Sequence, residues 1–396
     1  MLSGKTVVLG VSGGIACFKA AALASMLRKQ HADVQVIMTE NATKFVTPLT
    51  FEQLTGNKAL VDTFDRNFVH SVEHIAVADR ADFVLIAPAT ANVIAKFAHG
   101  LADDMLTTTV LACRCKKAVA PAMNTGMYEN PVTQDNIEKL RRYGWEIVEP
   151  AEGRLACGAE GKGRLPEPED LLEVVLHALS HEKDLSGKHV LVTAGPTREA
   201  LDPVRFLSNR SSGRMGYAIA NAAARRGAKV TLVSGPVALK KPAYVDVIDV
   251  ESAQEMFDAV MRCAPDADIV IKAAAVADYR PETIADQKLK KSDDALSIPL
   301  ARTQDILATL GANKRAGQFL CGFSMETENV IENSRNKLKK KNLDMIAANN
   351  VKEEGAGFAV ETNVLTLITA DGETALPLMR KDAAADALLD AIIKRL

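Results

Sequence analysis

The chain has 396 residues, 47% of them hydrophobic and 25% charged, and a formal net charge of −2 at pH 7. That length favours two or three domains over one, and the near-balance of charge leaves no electrostatic footprint for nucleic acid or an anionic membrane. No apolar run reaches the roughly 18–20 residues of a membrane span; one Trp and five Tyr weaken a base-stacking role; six cysteines are too few for a disulfide framework and read as reduced thiols in a cytoplasm.

The first residues enter a strand pattern directly, which reads as no signal peptide. "KTVVLGV" is a β-branched run suited to a strand buried on both faces. "GIACFKAAALASMLRKQ" follows with helical spacing and good helix formers. "DVQVIMT", "ADFVLIAPA" and "KKAVAPAM" are further strands with helical stretches between them. Such alternation predicts a parallel sheet covered on both faces. "PEPEDLLEVVLHALSHEKDLSGK" breaks the rhythm, and residues 181–186 read as a linker. "LSGKHVLVTAGPT" then echoes the opening "LSGKTVVLGVSGG", and alternation resumes through "KVTLVSG" and "ADIVIKAAA". Near the end, "VLTLITADGETALPLM" predicts a hairpin about Asp371-Gly372. The fold class is therefore α/β, with two parallel-sheet domains, each with its own first strand and loop.

Ligands of doubly wound sheets bind beyond the carboxyl ends of the strands, so the loops that follow strands carry the candidate chemistry. Ser12, Gly13 and Gly14 separate the first strand from its helix, exposing backbone N–H groups and a helix N-terminus to a phosphate. The loop is not G-x-G-x-x-G and no acidic residue is placed to hold a ribose, so a mononucleotide phosphate fits better than a dinucleotide. His74 opens a short helix before a strand. Pro88-Ala89-Thr90-Ala91-Asn92 follows that strand, with Asn92 also a plausible cap. Pro121, Asn124 and Met127 follow another strand, and capping again competes with ligand binding at Asn124. "GRLACGAEGKGRLPEP" sets Cys157 among four glycines and reads as a flap bearing a thiol. Cys113-Arg-Cys115 has no second pair and reads as structural; Cys17, Cys263 and Cys321 read as core.

Taken together, these loops resemble those of the flavin-containing cysteine decarboxylases, most closely the decarboxylase half of bifunctional coenzyme A biosynthesis proteins. The family's P-A-S-A-N-T segment is here "PATANV", its P-x-M-N-x-x-M-W is "PAMNTGMY", and its flap A-C-G is Ala156-Cys157-Gly158. Thr90 replaces Ser and keeps the hydroxyl, Val93 replaces Thr and loses one, and Tyr128 replaces Trp and keeps an aromatic face. The resemblance covers residues 1 to about 175. It implies a domain over 1–180 that binds FMN through Ser12, Gly13, Gly14, Thr39, Pro88, Thr90 and Asn92, and a 4′-phosphopantothenoylcysteine substrate. A cysteine carboxylate has no electron sink; oxidation of the thiol by flavin supplies one. By the same resemblance His74 is the active-site base, Asn124 grips the substrate carboxylate and Cys157 donates the final proton.

In the second half, Gly195-Pro196-Thr197 follows the first strand, and Ser211, Ser212, Gly213 and Gly216 lead into a helix. With Arg205, Arg210 and Arg214 they form a plausible phosphate cradle, though not a Walker A loop, since Gly-Lys-Ser/Thr is missing. Asp278 lies beyond "ADIVI", Lys288, Lys290 and Lys291 cluster in "QKLKKSDD", Asp305 begins a helix where capping is the alternative, "CGFSMETEN" ends a strand at Phe323, and Lys337 and Lys341 share a helical face. "TAGPTREALDPVR", "SNRSSGRMG", "AAAVADYRP", "KLKK", "GFSMETEN" and "KNLDMIAAN" resemble, in order, the phosphopantothenate–cysteine ligase of the same bifunctional family, over about 187–396. Gln304 departs from the usual Pro of T-P-D-I-L. The resemblance implies a Rossmann-like nucleotide-binding ligase domain that activates its acid with CTP as an acyl-cytidylate. Asn209 would orient that intermediate. Lys288, Lys337 and Lys341 would meet the triphosphate. Lys272, Ala273, Ala274, Asp278, Gln304, Asp305, Ile306, Leu307 and Phe323 would line the cytidine site, with Asp278 towards Mg²⁺. It also implies a homo-oligomer, a dodecamer. The alternatives are a flavin enzyme of another class, which the ligase half disfavours, and a flavin-binding regulatory subunit without turnover, disfavoured by the presence of both His74 and Cys157.

Overall fold

The computed structural model of the chain describes residues 1–64, 73–154, 158, 160–290, 297–326, 330–350 and 360–396, without the side chains of 326, 330 and 350. Contacts divide it into two compact units, Met1–Glu182 and Lys183–Leu396. Cys157 and Lys291, both named above, lie outside the described residues.

The first unit runs β1 (Thr6–Val11), α1 (Cys17–Lys29), β2 (Asp33–Met38), α2 (Glu40–Thr43), α3 (Pro48–Thr55), α4 (Glu73–Arg80), β3 (Phe83–Ala89), α5 (Ala91–His99), α6 (Met105–Ala112) and β4 (Lys116–Pro121). It continues with α7 (Thr125–Tyr128), α8 (Pro131–Arg142), β5 (Glu146–Ile147), the ribbon β6 (Ala151–Arg154) and β7 (Glu160–Arg164), and α9 (Pro168–Leu179). β2-β1-β3-β4-β5 form one sheet in that order, and every pairing is parallel. Covered on both faces, its strands can be apolar throughout: all seven residues of β3 are buried. α1 turns Cys17, Ala20, Leu23, Ala24 and Leu27 inward at helical spacing. Each fully buried Leu of this kind contributes about 1.5–3 kcal/mol relative to exposure. α6 begins at a capping box, in which Asp104 Oδ1 accepts from Thr107 N at 2.8 Å and Thr107 Oγ1 accepts from Asp104 N at 3.3 Å.

The second unit runs β8 (His189–Ala194), β9 (Arg198–Ala200), β10 (Phe206–Ser208), α10 (Arg214–Arg225), β11 (Lys229–Ser234), β12 (Asp246–Asp249), α11 (Ala253–Cys263), β13 (Ile269–Lys272), β14 (Tyr279–Pro281) and β15 (Leu300–Arg302). Then come α12 (Ile306–Ala312), β16 (Phe319–Glu326), α13 (Val330–Lys340), β17 (Met345–Asn350), β18 (Thr362–Asn363), β19 (Leu365–Thr369), β20 (Glu373–Ala375), β21 (Met379–Arg380) and α14 (Lys381–Ile393). The main sheet has the order β12-β11-β8-β13-β16-β17-β19-β20. It is parallel from β12 to β17, which is the order of a Rossmann sheet, and ends in the antiparallel β19 and β20 about Asp371-Gly372.

Two sequence-based placements need correction. β16 does not stop at Phe323 but continues to Glu326, because its last residues still pair with β17. The ribbons β9–β10 and β14–β15 were not anticipated; their strands of three residues are too short and too polar to show a period.

Candidate active sites

In the first unit the strand order reverses between β1 and β3, so the loops that follow these strands flank a crevice. Ser12 ties them together. Its Oγ donates to Pro88 O at 2.8 Å and accepts from Thr90 N at 2.9 Å, and its own N donates to Pro88 O at 3.2 Å. The Ala87–Pro88 peptide is cis. Gly13 is required by close approach: a Cβ there would lie 2.5 Å from Asn41 Cβ. Beside Gly14, by contrast, a Cβ would meet nothing within 4 Å, so the turn into the 13-residue helix α1 opens onto free space. Thr39, at the end of β2, caps α2 by accepting from Ala42 N at 3.3 Å, and its N donates to Val11 O at 3.0 Å. Three strand ends thus converge on one turn of small residues.

The cap of α5 is Thr90, whose Oγ1 accepts from Val93 N at 3.4 Å; Asn92, proposed above as a cap, lies two residues further on, inside the first turn, and is exposed. Val93 is buried in the core, so the hydroxyl that the resemblance expects there has given way to apolar packing. Asn124 caps α7, its Oδ1 accepting from Gly126 N at 2.9 Å, and is itself exposed. Tyr128 is buried and donates to Glu149 Oε2 at 3.0 Å; burial and that carboxylate push its hydroxyl up to about 12. His74 sits half-buried in the first turn of α4.

Sequence reasoning missed how the ribbon that brackets Cys157 is held. Met123 N donates to Gly163 O at 3.0 Å, which lays β7 against the Asn124 loop. Lys19, buried on α1, donates to Leu165 O at 2.9 Å and to Glu167 Oε1 at 3.0 Å at the base of β7. A lysine inside an Ala-rich helix carries no local signal of a partner 148 residues away.

In the second unit the switch lies between β8 and β13. α10 starts very close to β8: a Cβ on Gly216 would lie 2.5 Å from Ala194 Cβ and 2.9 Å from Thr193 O. This is the close helix–strand packing that a nucleotide-binding turn needs. Asn209 Nδ2 donates to Ala275 O at 2.9 Å, joining the two loops across the switch. Ser211 to Gly216, Ala273 to Ala275, Phe323 and Lys381 border a cavity of about 130 Å³. Asn349 borders it too, and its buried Oδ1 has no hydrogen-bond partner among the described residues. Lys381 is buried and donates to Val360 O at 2.6 Å; burial, with Arg214 nearby, lowers its amine.

A second cavity of about 420 Å³ is lined by Lys272, Asp278, Gln304, Asp305, Ile306 and Lys341, among others. Asp305 caps α12 and meets Lys341 Nζ at 2.7 Å. Burial pushes the Lys272 amine down to about 8, with the Lys341 charge acting in the same direction. Consecutive residues at the carboxyl end of β13, its last residue Lys272 and then Ala273 to Ala275, serve the two cavities in turn.

Some expected residues stand elsewhere. Leu307 is buried in the core and borders neither cavity, whereas Ile306, also buried, borders the larger one. Lys288 and Lys337 are exposed and border neither cavity. Two arginines of the supposed phosphate cradle are committed to carboxylates. Arg205 binds buried Asp202 through Nε at 2.9 Å and Nη2 at 2.6 Å, and Arg214 meets Glu361 at 3.2 Å. Arg205 holds the Asp202 carboxyl far below the usual carboxylate range. Asp202 Oδ2 also accepts from Leu289 N at 3.1 Å, so this pair pins the segment that carries Lys288. No group of three or more metal-ligating His, Cys, Asp or Glu residues occurs among the described residues, and no described helix is long and apolar enough to cross a membrane.

Fold and sites define a two-unit α/β protein of the ligand-binding, doubly wound class, its second unit Rossmann-like with cavities at its switch point. The flavoprotein family matches residues 1–180, and the C-terminal domain family of DNA/pantothenate metabolism flavoproteins matches residues 185–396. A Bacillus subtilis protein named coenzyme A biosynthesis bifunctional protein CoaBC is 50% identical over 385 residues, 96% of this chain and 95% of the relative. The protein of that name from Vibrio vulnificus strain YJ016 is 49% identical over 99% and 98% of the two chains, and that from Escherichia coli K12 is 45% identical over 100% and 98%. The chain belongs to the family of bifunctional coenzyme A biosynthesis proteins, and joins a decarboxylase half to a ligase half.

Proposed function

We propose that the C-terminal unit couples cysteine to 4′-phosphopantothenate at the expense of CTP, and that the N-terminal unit decarboxylates the resulting 4′-phosphopantothenoylcysteine with FMN. The observation that carries this reading is the gathering, in each unit, of motif-bearing loops at the switch point of a parallel sheet.

The turn at Ser12, Gly13 and Gly14 suits the FMN phosphate, since it has open space beside Gly14 and a helix N-terminus behind it. Thr39, Pro88, Thr90 and Asn92 would supply the surrounding contacts. FMN bound there would supply two-electron redox chemistry at the substrate's thiol-bearing carbon. The chain's own residues do the rest. Asn124 would hold the carboxylate that departs as CO₂, His74 would accept a proton near the reacting thiol, and Cys157 would donate the proton that saturates the product.

In the ligase half a carboxylate oxygen of the acid attacks the α-phosphorus of CTP and pyrophosphate leaves; the cysteine amine then attacks the acyl carbonyl, CMP leaves and the amine loses a proton. Fixed positive charge must meet the departing pyrophosphate. Lys288, Lys337 and Lys341 would supply it, with Lys272 sharing the larger cavity with Lys341, while Ala273, Ala274, Gln304, Asp305, Ile306, Leu307 and Phe323 would frame the cytidine and Asn209 the acyl group. Mg²⁺ commonly takes one or two carboxylates and completes its shell with phosphates and water. Asp278, exposed on the larger cavity, is the carboxylate available for that. The working form would be a cytoplasmic homo-oligomer, a dodecamer, with its functional domains over 1–180 and 187–396.

The test is product mass by LC–MS from protein, 4′-phosphopantothenate, cysteine, Mg²⁺ and either CTP or ATP. 4′-Phosphopantetheine with CTP alone supports both activities and the nucleotide. 4′-Phosphopantothenoylcysteine accumulating in the presence of added FMN would refute the decarboxylase assignment, and no product with either nucleotide would refute the ligase assignment.

A further inference from the structure

Lys288 lies on the segment that leaves β14, whose first residue, Tyr279, borders the larger cavity. That segment is tied down on both sides of the lysine. Ala285 N donates to Leu201 O at 3.0 Å. Leu289 N donates to Asp202 Oδ2 at 3.1 Å, and Leu289 O accepts from Arg205 Nη2 at 2.6 Å. All three partners belong to the turn between β9 and β10, which Leu201 N closes by donating to Arg205 O at 2.8 Å. Asp202 is the hub of that turn and only 3% exposed. Its Oδ1 accepts from Val204 N and Arg205 N, each at 2.8 Å; its Oδ2 accepts from Arg205 Nε at 2.9 Å, Arg205 Nη2 at 2.6 Å and Leu289 N. The other end of the ribbon is anchored at the switch point: Thr197 Oγ1 accepts from Ala277 N at 3.0 Å, Ser208 Oγ donates to Thr197 O at 2.8 Å, and Asn209 reaches Ala275 O. One ribbon therefore carries Asn209 at its base and clasps the Lys288 segment at its tip, with the three residues of β10, roughly 10 Å of strand, between them.

We propose that Asp202 is a positioning residue of the ligase reaction, acting through the Leu289 amide to fix the backbone that presents Lys288. The inference rests on the reading that Lys288 meets the departing pyrophosphate. A lysine on an untethered segment has to be ordered during the reaction; one flanked by the anchored Ala285 and Leu289 has lost most of that freedom on folding, so its charge is in place before pyrophosphate begins to leave. A carboxylate suits the hub because every group hydrogen-bonded to its two oxygens is a donor, and an ionised Asp offers acceptors on both sides. Asp202→Asn is therefore a selective change. The one remaining oxygen can keep Val204 N and Arg205 N, which preserves the turn, but the new amide then sets a donor against Leu289 N and the guanidinium. Leu289→Pro makes the complementary change: it removes the N–H of the Lys288 segment and leaves Asp202 and Arg205 paired.

The test uses the full-length, FMN-loaded protein. Hydrogen exchange resolved to single amides by electron-transfer fragmentation reads the anchor without reference to activity: the Leu289 amide should exchange at least ~10-fold faster in Asp202→Asn than in the wild type. The kcat for coupling cysteine to 4′-phosphopantothenate should fall about 10-fold or more in both Asp202→Asn and Leu289→Pro. Double variants show the route. Added to Lys288→Gln, either change should lower coupling by no more than ~2-fold beyond Lys288→Gln alone, since the group it positions is already gone. A merely structural role would make the losses multiply, and that result would overturn the proposal. So would an unchanged Leu289 exchange rate in Asp202→Asn, or wild-type coupling in that variant. Should Lys288→Gln itself couple at the wild-type rate, the assignment of Lys288 to the pyrophosphate fails and the positioning role fails with it; a loss in Lys288→Gln with none in Asp202→Asn removes the positioning role alone.

Discussion

At Lys288 the expected loss is specific to one reaction. Lys288→Gln removes a cation meant for the leaving pyrophosphate, so coupling should fall by about 10²-fold or more while decarboxylation of supplied 4′-phosphopantothenoylcysteine stays unchanged. Assays of the two reactions on the same preparation check this. Cys157→Ser should release an unsaturated product, two electrons more oxidised and lighter by two hydrogens, in place of 4′-phosphopantetheine, which mass spectrometry reads directly. Lys272 predicts a pH effect on stability. Its folded pKa of about 8 lies below the ordinary lysine value near 10.4, so between these limits the unfolded chain binds more protons than the folded one. Stability therefore rises with pH across that window, and below it the cost of the buried charge is fully present. Lys272→Met should raise Tm at pH 7, and its advantage should shrink as pH climbs from 8 past 10 in thermal melts.

At the scale of elements, the junction of α10 with β8 is the sensitive point. Gly216→Ala would place a methyl 2.5 Å from Ala194 Cβ and 2.9 Å from Thr193 O, both on a strand held by neighbours on either side. Overpacking of this kind costs about 1–3 kcal/mol. Because it also shifts the Ser211–Gly213 turn, the ligase KM for nucleotide should rise alongside the fall in Tm. Helical and strand periods made these elements legible. α1 and β3 bury nearly every apolar residue that their spacing nominates, whereas β9, β10, β14 and β15 are three residues long and owe their pairing to partners distant in sequence or to a turn. The same limit applies to the arginines. Arg205 reads as free charge until Asp202, three residues earlier, is seen to face it.

For the molecule as a whole, each unit has its own core. Ligand binding to one fold stabilises it by mass action, about 2.7 kcal/mol at a hundredfold excess over Kd. FMN should accordingly protect the backbone amides of residues 1–182 from hydrogen exchange, and CTP those of 183–396. Strand–helix alternation, the loops after the strands and the order of the motifs were all present in the sequence by itself, because periodicity and turn chemistry are local. So was the family, through segments such as "PAMNTGMY" and "SNRSSGRMG". Only the tertiary structure decided which side chains meet: Lys19 with Glu167, Asp202 with Arg205, and Asp305 with Lys341. It also turned Leu307 into the core and gave the cap of α5 to Thr90 instead of Asn92. Burial and pairing are set by what the fold brings alongside a residue, and for a charge that neighbour determines the chemistry.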